Sequence, residues 1–294
     1  MYHSIDFFFI DPLTNEAGSK INTYDDWGLV ASSRPTIAPA KPVTNIVKIF
    51  GANKFVNMSE SITGYPTYES RTGSLEFIVL NSFNKPDAKR WIDFYNEVSE
   101  YLHGRELCMV LEDEPEYYYS GVLSVNEFSS GEYNSTLTID YELQPYKMNR
   151  QMSDADWVWD TFNFETGVIP TNEFRDMNVT AAEGVELTDL AGKIGQMPVS
   201  PTIVVSNWTS ETPMNSKLIF HGEFTYKNGK VKKRDYVLNR ADMRNNPDDQ
   251  TPTFDDEIVL PLFVMYDDCT LLQITTDDQT ADITFSIRYR EGGL

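Results

Sequence analysis

The sequence predicts a mainly β protein: an antiparallel β domain with one flanking α-helix, followed by a C-terminal β-sandwich. Three observations carry this. Runs rich in Val, Ile, Tyr, Phe and Thr recur between clusters of Gly, Pro, Asn and Asp along most of the chain. A single stretch, 86–103, has helical spacing instead. The second half then offers about eight strand candidates and no credible helix.

In the first half the strand candidates are Ile5–Ile10, Thr44–Phe50, Ser74–Leu80, Glu106–Leu111, Tyr117–Phe128 and Ser135–Leu143. From Thr136 to Leu143 the alternation is clean: Leu137, Ile139, Tyr141 and Leu143 share one face, so one side of that sheet lies on a core and the other is wet. Between Pro86 and His103, Trp91, Phe94, Tyr95, Val98, Tyr101 and Leu102 form the apolar stripe of an amphipathic helix. Pro86 suits a first turn, Asp87 the positive end of the dipole, and Gly104 the C-terminal stop. Strands on either side of one helix, joined mostly by short turns, imply an antiparallel assembly with that helix on its flank.

After Pro145 the pattern stops, and the polar stretch 148–156 reads as a linker between a domain at 1–147 and a second at 157–294. Strand candidates then resume at Trp157–Phe164, Met177–Ala182, Pro201–Trp208, Lys217–Lys227, Lys230–Leu238, Glu257–Val264, Thr270–Thr275 and Asp282–Tyr289. Asn228-Gly229 is a tight hairpin signal, because both central residues of a type I′ turn need positive φ. No fixed-period repeat is present, which excludes solenoids and propellers.

The 294 residues carry 24 Lys+Arg against 45 Asp+Glu, a formal charge of −21. That balance argues against gripping nucleic acid through its phosphates and against docking on anionic lipid. Both halves share it: residues 1–150 hold 12 basic and 21 acidic side chains, residues 151–294 hold 12 and 24. Cys108 and Cys269 have no CxxC spacing and are read as reduced, partly buried thiols, neither a zinc site nor a disulfide framework. The N-terminus has no basic region before its short apolar run, so it does not read as a signal peptide. The longest apolar stretch, Ile258–Tyr266, is broken by Pro261 and too short for a bilayer, so the expectation is a chain made and folded in a cytoplasm.

Catalytic templates fail. The sequence has no GxSxG, HExxH, Walker or GxGxxG motif, and the expectation is no enzyme, no cofactor and no metal. His103 sits at a helix end, where an imidazole caps carbonyls; His221 reads as a packed or edge histidine, and His3 lies near a terminus. Asp25-Asp26, Asp248-Asp249, Asp255-Asp256, Asp267-Asp268 and Asp277-Asp278 read as solvated turns, without the EF-hand pattern. Trp157, Trp159 and Trp208 are candidates for stacking on a sugar ring, although filling the sandwich core is the simpler role. Tyr117, Tyr118 and Tyr119 must place rings on both faces of one strand, which hints at partner contact.

Several motifs together resemble a known family. They are Tyr24-Asp-Asp-Trp-Gly-Leu-Val30 before Ser33-Arg-Pro35, Thr63-Gly-Tyr-Pro-Thr-Tyr68, and Arg71-Thr-Gly-Ser-Leu-Glu-Phe-Ile-Val-Leu-Asn81. Tyr101-Leu-His-Gly-Arg105, Leu111-Glu-Asp-Glu-Pro-Glu-Tyr-Tyr-Tyr-Ser-Gly121 and Thr138-Ile-Asp-Tyr-Glu-Leu-Gln-Pro-Tyr-Lys147 complete the set. With them the chain resembles the distal tail proteins of long-tailed, siphovirus-like phages and prophages of Gram-positive bacteria. The resemblance is strong over 1–147 and weaker beyond, where Ile287-Arg-Tyr-Arg-Glu-Gly-Gly-Leu294 also fits.

The resemblance implies a hexameric ring that joins the tail tube to the baseplate and host-adhesion device at the virion tail tip. It further implies a tail-tube-like N-terminal domain and a galectin-like or carbohydrate-module-like C-terminal sandwich. Implied partners are further copies of the chain, the tail tube protein, the tape-measure protein and a tail-associated or fibre protein, with DNA as a passenger that does not stick. A lumen lined by acidic and small polar side chains of residues 1–147 would account for the charge. Closed rotation requires a heterologous interface, with Asp25, Asp26, Trp27 and Tyr117–Tyr119 as candidate contributors. Two other readings stay open: a carbohydrate-binding adhesion module acting through the sandwich on a host surface glycan, and a hydrolase built from the acidic loops.

Overall fold

The computed structural model describes residues 3–10, 17–51, 53–61, 66–80, 90–130, 135–153, 174–188, 197, 201–212, 215–225, 231–244, 253–254 and 269–294. The chain divides into two compact units, Met1–Met148 with Leu294, and Asn149–Gly293. Antiparallel strands dominate both, as the composition and alternation predict.

The first unit runs β1 (Ile5–Phe8), β2 (Ile21–Asn22), β3 (Leu29–Ala31), β4 (Ile46–Lys48), β5 (Phe55–Asn57), β6 (Arg71–Val79), α1 (Trp91–Leu102), β7 (Arg105–Leu111), β8 (Tyr117–Ser130) and β9 (Ser135–Leu143). Its main sheet has the order β2-β1-β7-β8-β9-β6-β3, while β4 and β5 pair only with each other. Strand β9 spans the predicted residues. Its Leu137, Ile139, Tyr141 and Leu143 are buried with Leu75, Phe77 and Val79 of β6 and with Leu123 and Val125 of β8. Each fully buried aliphatic or aromatic side chain of this kind stabilises the fold by about 1.5–3 kcal/mol.

Helix α1 lays Phe94, Val98 and Leu102 on that core, with Trp91, Tyr95 and Tyr101 partly buried beside them. It begins at Trp91, because Arg90 is already extended (φ −65°, ψ 147°). The predicted start at Pro86 and Asp87 lies outside the described residues. At the other end the His103 backbone N–H, rather than its ring, donates to the Ser99 carbonyl at 2.8 Å. Gly104 follows at φ +73°, a left-handed conformation that a side chain would strain.

The stretch expected to be linker differs. Lys147–Met152 is a strand, β10, which pairs with β20 (Arg290–Gly293). Polar KMNRQM lacks apolar alternation, yet its backbone finds a partner some 140 residues later, which local pattern cannot reveal. Residues 154–156 lie outside the described residues.

The second unit contains β11 (Met177–Thr180), β12 (Val185–Thr188), β13 (Thr202–Thr209), β14 (Lys217–Thr225), β15 (Val231–Asn239), β16 (Met243–Arg244), β17 (Thr253–Phe254), β18 (Cys269–Thr276) and β19 (Asp282–Arg288). Sheets β11-β19-β13 and β12-β18-β14-β15 face each other across one core. Val179, Ile203, Val205, Ile283, Phe285 and Ile287 come from the first sheet; Leu187, Leu218, Phe220, Leu238, Leu272 and Ile274 come from the second. The Phe220 and Phe285 rings meet edge-on, 5.9 Å apart, at the middle of this layer. The Trp157–Phe164 and Glu257–Val264 strand candidates and Asn228-Gly229 lie outside the described residues, though the strands flanking that turn, β14 and β15, are antiparallel neighbours.

Two local features generate predictions. Strand β8 approaches β9 so closely at Gly121 that a Cβ there would collide with the Glu142 carbonyl oxygen and lie 2.6 Å from the Leu143 Cα. Gly121→Ala therefore lowers stability by about 1–3 kcal/mol, read as a drop in the urea midpoint. In the second unit Asp278 ties two loops together: its carboxylate accepts the Ser210 hydroxyl, the Thr280 N–H at 2.9 Å and the Thr280 hydroxyl at 2.8 Å. These bonds, the Ser210 hydroxyl first, hold its pKa at about 2. An unfolded aspartate titrates near ~3.9, so the stabilisation is complete above that pH and is lost as pH falls through about 2. Asp278→Asn lowers Tm at neutral pH, and the gap to wild type closes between about pH 4 and about 2 in a thermal-unfolding series.

Candidate assembly surfaces

A strand that buries one face must present the other. On the main sheet that outer face is built rung by rung. Glu106 of β7 stands opposite Val122 of β8, which stands opposite Glu142 of β9 and then Thr72 of β6. The next rungs are Ser124, Asp140 and Ser74, then Thr138 and Glu76, then Thr136, Ile78 and Val30. Glu76, Glu106 and Glu142 are exposed and Asp140 is half-buried. Neutral donors hold three of them: Ser70 to Glu142 at 2.8 Å, the Asn126 amide to Asp140 at 2.6 Å, and Ser32 to Glu76 at 3.3 Å. No lysine or arginine falls on these rungs, and none of the four carboxylates has an ion-pair partner among the described residues. The result is a flat field of negative charge, serine and threonine.

Towards the β1 edge the same outer face closes over. Phe8, Cys108, Val110 and Tyr118 form a small second cluster, with the Phe8 and Tyr118 rings 6.1 Å apart and edge-on. The three tyrosines do divide between faces, and each is covered within its own unit. Tyr119 is buried on the main core and donates to Glu114 at 3.0 Å, Tyr118 is buried on the small cluster, and Tyr117 lies under the Lys147 ammonium, 4.8 Å from its ring centre. Burial raises the Tyr119 phenol, and the neighbouring Glu114 carboxylate raises it further. Of the three, Tyr117 alone retains partial exposure.

The Asp25-Asp26-Trp27 candidates also separate. Trp27 is 3% exposed, tilted against Phe7 and edge-on to Tyr101 with ring centres 6.3 and 5.7 Å away, so it anchors its turn to the core and offers no ring to a neighbour. Asp25 and Asp26 are exposed. The Asp26 carboxylate accepts the Asn22 N–H at 2.6 Å, and the Asn22 side-chain oxygen accepts the Tyr24 and Asp25 N–H groups, so Asn22 and Asp26 close the turn.

For sugar stacking, Trp208 drops out. It is 7% exposed in the core of the second unit, where its indole N–H donates to Ser216 at 2.9 Å. Trp157 and Trp159 lie outside the described residues. On the outer face of the four-stranded sheet His221 joins Asp235 at 2.8 Å and Thr275 at 3.0 Å, which makes it a cross-strand link on an interior strand, not a packed or edge residue. His3 contacts Asp113 at 3.0 Å beside Arg34. Asp277 accepts the Lys217 N–H at 3.2 Å. Among the described residues no three of His, Cys, Asp and Glu converge as metal ligands would.

Sequence reasoning missed one surface outright. Strands β4 and β5 form a hairpin whose six residues are all exposed. With its flanks it shows Val43, Ile46, Val47, Ile49, Phe50, Phe55, Val56 and Met58 to water, and Phe50 at its end is 105% exposed. A signal was present: from Trp27 to Ser59 the sequence contains Arg34, Lys41, Lys48 and Lys54 and not one Asp or Glu.

No family model matches the chain. No curated protein matches it either. Among solved structures the chain is similar to one described as the crystal structure of SPP1 Dit (gp 19.1), "a paradigm of hub adsorption apparatus in Gram-positive infecting phages". Identity is 12%, the TM-score is 0.49, and the alignment covers 97% of this chain and 99% of that one.

Proposed function

We propose that this chain is a structural subunit of a phage tail hub, a distal tail protein that closes into a ring of six and lets DNA pass. The observation that carries this reading is the outer face of the main sheet: a carboxylate on each of three successive rungs, a second on the first of them, and no cation. The motifs of residues 1–147 supply the family. The sheet supplies a reason for the charge, because a wall that surrounds a moving polyanion must repel phosphate. In the ring this face lines the bore, and the helix side lies away from it. The ring sits at the virion tail tip between the tail tube and the adhesion device, with the tape-measure protein threading it. The work is done by geometry and charge, with no chemical step.

Two measurements test this. Light scattering of the full chain should approach about 200 kDa, six times 33.6 kDa, with rising concentration. In a gel-retardation assay at low salt, wild type should leave duplex DNA unshifted. Glu76→Lys, Asp140→Lys and Glu142→Lys together should retain it, with log K falling by about 0.9 per decade of salt for each phosphate neutralised. A single-subunit mass at every concentration, or DNA retention by wild type, overturns the reading.

A further inference from the structure

The core of the first unit ends on a charge. Along β6 the core-facing positions are Arg71, Gly73, Leu75, Phe77 and Val79, so the alternation that fills this interior also places a guanidinium at its edge. Arg71 is 5% exposed. Its Nε donates to the Pro145 carbonyl at 2.8 Å and its Nη1 to the Ala38 carbonyl at 3.2 Å. Its Nη2 is buried with no hydrogen-bond partner, and among the described residues no carboxylate pairs with Arg71. Glu114, the acid of this neighbourhood, is committed to the Lys147 ammonium and the Tyr119 hydroxyl. A buried cation without a counter-charge is costly, and folded proteins keep one by pairing it.

Two phenols flank the guanidinium. The Tyr119 ring lies against it, 5.6 Å from the Arg71 Cζ to the ring centre. Tyr141 of β9 stands opposite Gly73 and lays its hydroxyl over the bare β6 backbone, where a Cβ on Gly73 would collide with it. Tyr141 is buried, and its hydroxyl makes no hydrogen bond among the described residues. Burial raises the Tyr141 phenol and the Arg71 charge draws it back, so the group keeps its proton at neutral pH and is a donor there. Arg71 and Tyr141 thus bring two unmet donors, one of them cationic, to one end of the core. Their complement is an acceptor with negative charge. Water would accept from both, but it would bring protons of its own and leave the guanidinium unneutralised. Phosphate or sulfate would present four oxygens to two donors, whereas a single-atom anion matches them.

We infer that this end of the first unit's core is a binding site for a small monovalent anion, chloride in a saline medium, held between Arg71 Nη2 and the Tyr141 hydroxyl. The ion neutralises Arg71, and through it fastens two irregular segments that Arg71 ties together. One carries Ile37 and Ala40 onto the core past Ala38; the other is the exit from β9 at Pro145. The site lies within a single subunit, so it stands whether or not the chain closes into a ring.

Thermal unfolding of the full chain in chloride, bromide and gluconate tests it, at one ionic strength so that screening of surface charge stays constant. Chloride in place of gluconate should raise Tm by about 2–4 °C and saturate, the shift produced by a ligand at a few times its Kd. Tyr141→Phe keeps the ring and removes the hydroxyl, so its far-UV circular dichroism should match wild type while most of the chloride shift disappears. Arg71→Gln also loses the two carbonyl ties; it should lower Tm in every salt and abolish the difference between salts. In crystals grown with bromide, an anomalous-scattering peak should lie within hydrogen-bond reach of both groups. A Tm indifferent to the identity of the anion overturns the site. So does a chloride shift that survives intact in Tyr141→Phe, or a water without anomalous signal at that position.

Discussion

Period two is the constraint on which the first unit depends. Along β9 every second side chain enters the core, and those between are Thr136, Thr138, Asp140 and Glu142. A slip of one residue would carry Asp140 and Glu142 into an apolar interior, with desolvation far beyond what any new contact could offset. The register is held from both sides, by β6 over nine rungs from Arg71–Leu143 to Val79–Ser135, and by β8 from Gly121–Leu143. The bare Cα of Gly121 lets the β8 and β9 backbones meet where a methyl group would part them. Core packing and the acidic field are thus one decision made twice per residue pair: the same alternation that buries Leu and Ile also sorts the carboxylates into a single plane.

How much of this was legible depended on how local each determinant is. Strand β9 could be read to the residue because its alternation is complete within nine positions. Helix α1 could be read from its stripe of Phe94, Val98 and Leu102, but its start could not, since Trp91 opens it without a side-chain cap. The short strands β2, β3 and β5 are two or three residues long, too few to show a period, and each exists only by pairing with a partner elsewhere in the chain. Strand β10 has no apolar pattern and is defined by a distant neighbour. Among candidate contact residues, aromatic identity gave no guide to exposure. Trp27, Tyr118, Tyr119 and Trp208 are buried because large rings fill cores well.

Charge, by contrast, was legible only as a sum. The net −21 conceals two populations: an acid-rich body, and a stretch of 33 residues with cations alone. Net charge per domain averages over that contrast. It becomes visible once the fold shows that the stretch includes an exposed hairpin, and that the carboxylates of the sheet fall on successive rungs of one face. The two surfaces ask for opposite things of their surroundings. The sheet face presents carboxylates and hydroxyls; the hairpin presents apolar side chains and cations.

The pairing of β1 with β7 has a kinetic consequence. Ile5 lies against Leu111, and β6 waits for β9, which ends at Leu143. No rung of the central sheet between β6 and β9 can close until roughly half of the polypeptide has left the ribosome, and β1 must remain unpaired with β7 until then or nearly then. A nascent chain of this topology exposes its earliest strand and its apolar hairpin together, and high contact order makes the closing step slow.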